Sequence, residues 1–314
     1  MLILQKGRFD LETKELKLQN GYVMHYHYWK SAEPEKAIMH INHGMAEHSA
    51  RYDGFALYLN KLGISVYAQD HLGHGLSEDQ GPLGFFAENN GWDKVVKQSI
   101  EFSKFIKEEN KDKPLILFGH SMGSFIARCM IERVSSLYCC AVIMGTACSN
   151  GLFGKIGRNI AERSIKKNGP KFIDKHLDNL SFGSYNKHFD KNGAAHQWLS
   201  RDEEQVKKYE DDRWCGFVCT NSFYRDAIDL IEEANDKSKV NEIEKKLPIL
   251  LISGTADPVG KYGKGVKRVE KLYRSCQIQD VTSILVPDAR HELLNETNKD
   301  ENMKTISDWI FKKL

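Results

Sequence analysis

The chain has 314 residues, of which 45 are Lys or Arg and 43 are Asp or Glu, so its formal net charge is only +2. Nucleic-acid-binding proteins normally carry a marked basic excess on one face, and this near balance argues against that class. Charged residues make up 28% and hydrophobic residues 41% of the sequence, which is typical of a folded globular protein. The length suits one large domain that carries an insertion.

The N-terminus and the cysteines exclude further classes of protein. The segment MLILQKGRFD has four apolar residues before its first lysine, too few for a signal-peptide core. No apolar run approaches the roughly 18 residues needed to span a bilayer. Seven cysteines, with no Cys-x-x-Cys pair, indicate neither a disulfide framework nor a thiolate metal site. We therefore expect free, buried cysteines and a cytoplasmic location.

Short β-rich runs alternate with amphipathic helical runs along the chain. This alternation predicts an α/β fold with a mostly parallel central sheet and helices on both faces. The predicted strands are 22–29, 37–43, 64–69, 115–119, 141–144, 248–253 and 282–286. The predicted helices are 91–108, one that begins after Ser121, 264–274 and 299–314. In the helix after Ser121, the spacing places Arg128 and Glu132 on the side opposite the apolar face. In the helix 299–314, it places Leu314 on the apolar stripe.

Residues 150–220 differ from their surroundings because they lack a strand pattern and are rich in Lys and Arg at their start. We expect an inserted helical cap here, with the core formed by residues 1–149 and 221–314. Residues 151–191 contain nine Lys or Arg and four Asp or Glu, and Phe153, Ile156 and Ile160 recur at helical spacing. Such a helix could make transient contact with an anionic membrane. Alternatively, its apolar stripe packs on the core, which is the arrangement we expect.

A G-x-S-x-G sequence stands at the junction of a predicted strand and a predicted helix. It consists of Gly119, His120, Ser121, Met122 and Gly123. In this setting the glycines relieve crowding on a strained turn, which lifts the serine hydroxyl to the helix N-terminus. Free N–H groups there favour developing negative charge. We predict that the serine is a nucleophile; the alternative is that it only caps the helix.

A serine nucleophile needs a base, and an acid that fixes the tautomer of that base. In folds with this motif the chain order is serine, acid, histidine. Asp257 follows a predicted strand, and His291 is the only histidine downstream of it. These two residues complete the predicted triad, although Asp257 could instead be a turn-forming residue. Asp288 is a rival acid, but its position three residues before His291 fits the expected order less well.

The acyl intermediate of such a reaction needs two N–H donors for its oxyanion. One donor is the backbone N–H of Met122, which follows the nucleophile. We expect the second to be the N–H of Met45, in the loop after strand 37–43, with His43 and Gly44 shaping that loop. Losing one such donor typically lowers turnover by about 10²–10³-fold.

Four histidines fall in two loops, with His43 and His48 in one and His71 and His74 in the other. No third ligand at metal-site spacing is evident, so we predict neither a metal nor a cofactor. The role that we expect for these side chains is hydrogen bonding that holds the oxyanion loop in shape.

Several sequence runs, taken in order, carry a resemblance to a known family. The runs are HGMAEHS at 43–49 with Arg51-Tyr52, DHLGHGLS at 70–77, GHSMG at 119–123, DPV at 257–259 and RHE at 290–292. From about residue 20 to the C-terminus, the chain resembles the monoacylglycerol lipases and lysophospholipases of the α/β-hydrolase superfamily. The runs WLSRD at 198–202 and CGF at 215–217 resemble the cap of bacterial members. Asp288 and Arg213 stand where such proteins often have glycine and proline.

The resemblance implies an α/β-hydrolase fold and assigns the roles of nucleophile, acid, base and oxyanion donors to the residues named above. We therefore expect a serine carboxylic-ester hydrolase that acts on monoacylglycerols, lysophospholipids or similar small acyl esters. The same triad could serve other acyl or aromatic esters, or an aminopeptidase-type reaction, because the fold leaves substrate choice to the cap. A non-catalytic binding module is disfavoured because every triad position is filled. The sequence carries no signal of oligomeric state.

Overall fold

A computed structural model describes residues 11–190 and 193–314 of the chain. The first ten residues, for which the sequence predicts no signal-peptide core, lie outside the described residues. Within the described ranges, no helix combines the length and the apolar character needed to cross a bilayer. All seven cysteines lie in these ranges and are free, and six of them are buried.

One eight-stranded sheet forms the centre of the structure. Its strands are Leu11–Lys17 (β1), Val23–Trp29 (β2), Ala37–Asn42 (β3), Ile64–Gln69 (β4), Leu115–His120 (β5), Cys140–Met144 (β6), Ile249–Gly254 (β7) and Val281–Val286 (β8). Their spatial order is β1-β2-β4-β3-β5-β6-β7-β8. Strand β2 pairs antiparallel with β1 and β4, and every other pair is parallel. The parallel strands β3 to β7 are buried throughout, because helices cover both faces of the sheet.

Seven of the eight strands agree with the sequence prediction to within one residue at either end, and the mostly parallel α/β architecture is confirmed. Strand β1 is absent from the prediction. Its sequence LETKELK contains four charged residues, and its side chains alternate between exposed and half-buried. It lies at the edge of the sheet and pairs only with β2. Charged side chains are common on edge strands, where they discourage pairing with other chains, so the apolar signal of a strand is weak there.

Helices pack on both faces of the sheet. The described residues contain Asp53–Asn60 (α1), Gly91–Glu109 (α2), Met122–Val134 (α3), Leu152–Asn168 (α4), Lys175–Phe182 (α5), Glu203–Asp211 (α6), Asn221–Glu233 (α7), Lys237–Val240 (α8), Lys264–Ser275 (α9) and Lys299–Phe311 (α10). One apolar cluster joins α2, α3, α7 and α9 to one sheet face, and a second joins α1 and α10 to the other. Successive side chains of the buried strands belong alternately to the first and the second cluster, because the pleat directs them to opposite faces of the sheet.

Three expectations about helix surfaces are wrong. Arg128 and Glu132 do not lie on an open side of α3, since only 0% and 7% of their surfaces are exposed. Helix α3 contacts α2 and α7 as well as the sheet, so it is covered on more than one side. Leu314 lies beyond the end of α10, and 46% of its surface is exposed.

The apolar stripe of α4 packs on the core at Ile160 but not at its two other residues. Phe153 and Ile156 are 83% and 48% exposed, whereas the buried residues of this helix are Gly154 and Ala161. Helix α4 packs on α7 through its small residues, because these allow the two helices to approach closely. The larger apolar side chains at the start of the helix, Leu152, Phe153 and Ile156, are therefore exposed to solvent.

Burial of Glu132 predicts a dependence of stability on pH. Within the described residues, neither carboxylate oxygen of Glu132 has a hydrogen-bond partner. Burial raises the pKa of Glu132 to about 8, against the opposing charge of Arg128. Because the folded-state pKa lies above the unfolded value, the protonated form favours folding, and this contribution is lost as pH rises toward about 8.

Glu132→Gln is therefore expected to lose less stability than the wild type when the pH is raised from about 4.5 to about 8. Glutamine keeps the shape of the protonated acid and cannot ionise. Thermal melts across this pH range measure the effect, with exposed Glu204→Gln on α6 as the control. Equal pH dependence in all three proteins would contradict the prediction.

Candidate active site

Ser121 occupies a strained turn between β5 and α3. Its backbone has φ 53° and ψ −120°, a conformation that L-residues rarely adopt. Its N–H donates to the carbonyl oxygen of Met144 at 3.0 Å, which fixes the turn to the neighbouring strand β6. A Cβ atom on Gly123 would lie 2.0 Å from the carbonyl oxygen of Asn42, so only glycine allows this approach of α3 to β3. The turn presents the serine at the carboxyl edge of the sheet.

Asp257 and His291 lie in the loops that follow β7 and β8, at the same edge of the sheet. His291 Nδ1 is 3.0 Å from Asp257 Oδ2, with both side chains buried. The carboxylate faces the Nδ1 edge of the imidazole, and the contact is an ion pair when the ring is protonated. Asp257 also accepts hydrogen bonds from the Ser253 hydroxyl at 2.9 Å and from the Val259 N–H at 2.8 Å. The rival acid Asp288 is exposed, and its N–H donates to a threonine hydroxyl.

The two charges of this pair stabilise each other. Burial opposes ionisation of Asp257, but the facing His291, together with its hydrogen-bond donors, holds the pKa of Asp257 below its ordinary value. Burial is the largest influence on the pKa of His291 and acts to lower it, but the carboxylates of Asp257, Glu292 and Glu47 together raise that pKa above its ordinary value. Within the described residues Nε2 of His291 is buried and has no hydrogen-bond partner, so it is available to a reacting hydroxyl.

The turn Met144-Gly145 lies against both Ser121 and His291. It accepts the Ser121 N–H, and a Cβ atom on Gly145 would lie 3.0 Å from Cε1 of His291. Glycine at 145 has φ 63°, which the turn also requires. The structure thus brings the three residues of the predicted triad to one end of the sheet.

The loop after β3 also approaches Ser121. A Cβ atom on Gly44 would lie 3.2 Å from Cβ of Ser121, so the loop passes directly beside the serine. Met45 follows Gly44, and in the described ranges the N–H groups of Met45 and Met122 have no backbone acceptor. The next residue, Ala46, has φ 49°, a strained conformation for a residue with a side chain. The arrangement suits two N–H donors that face one oxyanion.

Histidines join this loop to its neighbour. His43 Nδ1 donates to the carbonyl oxygen of Gly44 at 2.7 Å, and its Nε2 accepts the N–H of His71 at 3.0 Å. These contacts require a neutral ring with the proton on Nδ1. Burial lowers the pKa of His43 and of His71, and it lowers that of His74 to about 3. The rings of His43 and His74 make hydrogen bonds within these two loops, whereas His71 takes part through its backbone N–H.

A different histidine belongs to the one group of potential metal ligands in the described residues. The ligand atoms of His48, Asp212 and Cys215 lie within 4.8 Å of one another. His48 Nε2 is already bonded to Asp212 Oδ2 at 2.9 Å, and burial raises the pKa of the Cys215 thiol. The group is satisfied as a protonated thiol beside a histidine–aspartate pair, which links the 43–49 loop to residue 212.

Four residues of the site have no role in the sequence prediction. Glu47, Arg51 and Glu292 form a buried ion-pair network beside the loop that carries Met45. Trp198 lies over His291, with ring centroids 5.2 Å apart, and its carbonyl oxygen accepts the His291 N–H at 3.4 Å. All four stand in runs that carry the family resemblance, which is the only signal that the sequence offers for them.

The fold and this site define a hydrolase with the α/β-hydrolase fold. Residues 33–298 match the family described as serine aminopeptidase, S33, and the chain belongs to this family. The resemblance to its monoacylglycerol lipases, stated above from sequence runs, is confirmed at the level of family and fold.

Named relatives cover nearly the whole chain. The monoglyceride lipase homolog of monkeypox virus is 26% identical over 301 residues, which cover 95% of this chain and 97% of that protein. The human monoglyceride lipase is 26% identical over 297 residues, which cover 93% of this chain and 88% of that protein. A thermostable carboxyl esterase from Bacillus coagulans, solved with glycerol, superposes with a TM-score of 0.88 at 23% identity and covers 96% of this chain and 98% of its own. The last comparison shows the shared fold.

Proposed function

We propose that this chain hydrolyses carboxylic esters through a triad of Ser121, His291 and Asp257. The observation that carries the proposal is the strained serine turn, φ 53°, at the same sheet edge as a buried histidine–aspartate pair 3.0 Å apart. A hydroxyl on such a turn is exposed to substrate, and the paired imidazole is held as a base.

The reaction has two halves. Ser121 Oγ bonds to the ester carbonyl carbon while His291 Nε2 takes the hydroxyl proton, and the N–H groups of Met45 and Met122 stabilise the oxyanion. The carbon–oxygen bond to the alcohol then breaks, and His291 protonates the leaving alcohol. In the second half water attacks the acyl carbon and His291 takes a proton from that water. The bond between the acyl carbon and Ser121 Oγ then breaks, His291 returns the proton to Oγ, and the carboxylic acid leaves.

The proposed substrates are monoacylglycerols, lysophospholipids and similar single-chain acyl esters. Support comes from relatives named monoglyceride lipases, whose alignments cover 93–95% of this chain. The family description, serine aminopeptidase, keeps an amide substrate as the second candidate.

Two measurements test this function together. A fluorophosphonate probe is expected to label the wild type and not Ser121→Ala, and failure to label the wild type would overturn the enzyme proposal. A panel of monoacylglycerols of graded chain length, a lysophospholipid, an aromatic ester and an aminoacyl amide then identifies the substrate. Faster turnover of the amide than of every ester would favour the second candidate.

The proposal includes a cap formed by residues 150–220, which contain α4, α5 and α6. Two contacts between this segment and the site support the cap. Trp198 lies over His291, and the Tyr209 hydroxyl donates to the carbonyl oxygen of Ala46 at 2.9 Å. The seven free cysteines fit the reducing cytoplasm, which we propose as the location.

A membrane-facing role for α4 follows from its exposed apolar residues. Leu152, Phe153 and Ile156 are 72%, 83% and 48% exposed on a segment with nine basic and four acidic residues between positions 151 and 191. Apolar side chains among basic ones favour transient binding to an anionic lipid surface.

Phe153→Asp is therefore expected to reduce sedimentation of the protein with vesicles that contain anionic phosphatidylglycerol. The substitution adds a negative charge at the centre of the exposed patch, where anionic headgroups repel it. Leu314→Asp, at the exposed C-terminus, serves as the control. Equal sedimentation of both variants and the wild type would remove the membrane contact from the proposal.

A further inference from the structure

Arg51 joins two carboxylates that come from opposite ends of the chain. Its NH1 donates to Glu47 Oε2 and, at 2.7 Å, to Glu292 Oε1, while its NH2 donates to Glu292 Oε2 at 2.8 Å. Glu292 is 241 positions away from Arg51 in the chain. The side chains of all three residues are buried, with 12%, 4% and 6% of their surfaces exposed for Arg51, Glu47 and Glu292. Buried charges are costly unless they are paired in this way.

The Glu47 side of this network reaches the loop that carries Met45. Glu47 Oε1 accepts the N–H of Gly44 at 2.5 Å, so it holds the residue directly before Met45. The same oxygen accepts the Tyr52 hydroxyl at 3.0 Å and lies 3.3 Å from Nδ1 of His120. The carboxylate therefore fixes the backbone from which the proposed second oxyanion donor projects.

The Glu292 side reaches the general base. Glu292 directly follows His291, and its N–H donates to the carbonyl oxygen of Leu199 at 2.7 Å. A bidentate arginine–carboxylate contact fixes orientation as well as distance. His120 lies between Glu47 and the general base, because its Nδ1 is near Glu47 Oε1 and its ring centroid lies 4.8 Å from that of His291.

We infer that Arg51 is a positioning residue that holds the oxyanion loop and the His291 loop in one relative arrangement. The strain of that loop supports this assignment. Ala46 has φ 49° and is restrained by bonds to its carbonyl oxygen from Gly216 and Tyr209, and the Arg51 guanidinium lies 4.8 Å from the centroid of the Tyr209 ring. A strained loop persists only where its surroundings determine it. This inference rests on the proposed esterase function.

Arg51 also sets the charge around the base. The ionisable groups that face His291 are Asp257, Glu292, Glu47 and His120, and the three carboxylates raise the pKa of His291. Arg51 neutralises part of the charge of Glu47 and Glu292. Its removal leaves that charge unopposed, whereas removal of Glu292 takes a negative charge away. The two substitutions therefore move the pKa of His291 in opposite directions.

The test measures ester hydrolysis by the full chain as a function of pH. Arg51→Gln is expected to lower kcat by about 10- to 100-fold with little change in KM, because a misplaced donor acts on the transition state. The acid limb of the pH profile is the range in which kcat falls as His291 becomes protonated. For Arg51→Gln we expect this limb at higher pH than in the wild type, and for Glu292→Gln we expect it at lower pH. Arg51→Lys keeps the charge without the bidentate contact, so it should restore the pH profile and only part of kcat.

Arg128→Gln provides a matched control. Arg128 is fully buried and, like Arg51, makes several hydrogen bonds, here to Ala147, Asn235 and Tyr273, but it donates to neither of the two loops. We expect a lower melting temperature and an unchanged acid limb for this variant. Unchanged kcat and acid limb in folded Arg51→Gln would overturn the inference. If that variant does not fold, an acid limb of Glu292→Gln that coincides with that of the wild type, together with wild-type kcat in Arg51→Lys, would overturn it. A wild type that neither labels nor hydrolyses esters refutes the proposed function itself.

Discussion

Ser121→Ala is expected to lower kcat for ester hydrolysis by about 10⁶-fold while the protein remains folded. Alanine cannot form the acyl-enzyme, and no other hydroxyl occupies the turn at φ 53° between β5 and α3. The residual rate reflects only substrate binding and the oxyanion donors. Steady-state kinetics, with mass spectrometry to detect the acyl-enzyme of the wild type, measure the loss.

The comparison with His291→Ala makes this prediction sharper. Nucleophile and base act as a unit, so the double variant Ser121→Ala/His291→Ala should be hardly slower than either single variant. Ser135→Ala, at the other end of α3, changes a buried serine far from the proposed chemistry and serves as the control. Multiplicative losses in the double variant would indicate that the two residues do not belong to one triad.

Asp257→Asn is expected to lower kcat by about 10⁴-fold and to shift the acid limb of the pH profile. The carboxylate holds the proton of His291 on Nδ1, 3.0 Å away, and leaves Nε2 free to accept the serine proton. An asparagine amide can donate to Nδ1 and favour the wrong tautomer. The chemical step then lacks its base although the shape of the site is unchanged.

The direction of the pH shift follows from the environment of His291. The base must be neutral, and Asp257 raises its pKa above the ordinary value of 6.5, so wild-type kcat should fall as the pH is lowered through a value above 6.5. Without that carboxylate, burial acts with less opposition and the pKa of His291 falls. The acid limb of Asp257→Asn therefore lies at lower pH. Asp288→Asn is the control, and a loss of kcat in that variant without a loss in Asp257→Asn would assign the acid to Asp288.

The contacts of the proposed cap connect these expectations to substrate choice. Trp198 lies over His291 and also packs against Tyr185, with ring centroids 5.0 Å apart. Both residues belong to the segment 150–220. A movement of this segment would change the surroundings of the base as well as the entrance for substrate, so the pH profile and substrate preference should respond together.

The sheet and the proposed triad could be predicted from the sequence because their signals are local. An apolar run directly before Gly119-His120-Ser121-Met122-Gly123, followed by helical periodicity, specifies a strand, a turn and a helix within a few residues. The triad order then leaves His291 as the only histidine after Asp257. The assignment of chemical roles stays a prediction, which the proximity of these residues supports.

Tertiary structure decided the features that depend on residues distant in the chain. Glu292 pairs with Arg51 across 241 positions, and no periodicity reports such a contact. Glu132 has the sequence pattern of a surface residue but is buried because α3 is enclosed by neighbouring helices. Phe153 has the pattern of a core residue but is exposed because α4 packs through small residues instead. Helical spacing identifies the faces of a helix, whereas only the packed chain determines which face meets the core.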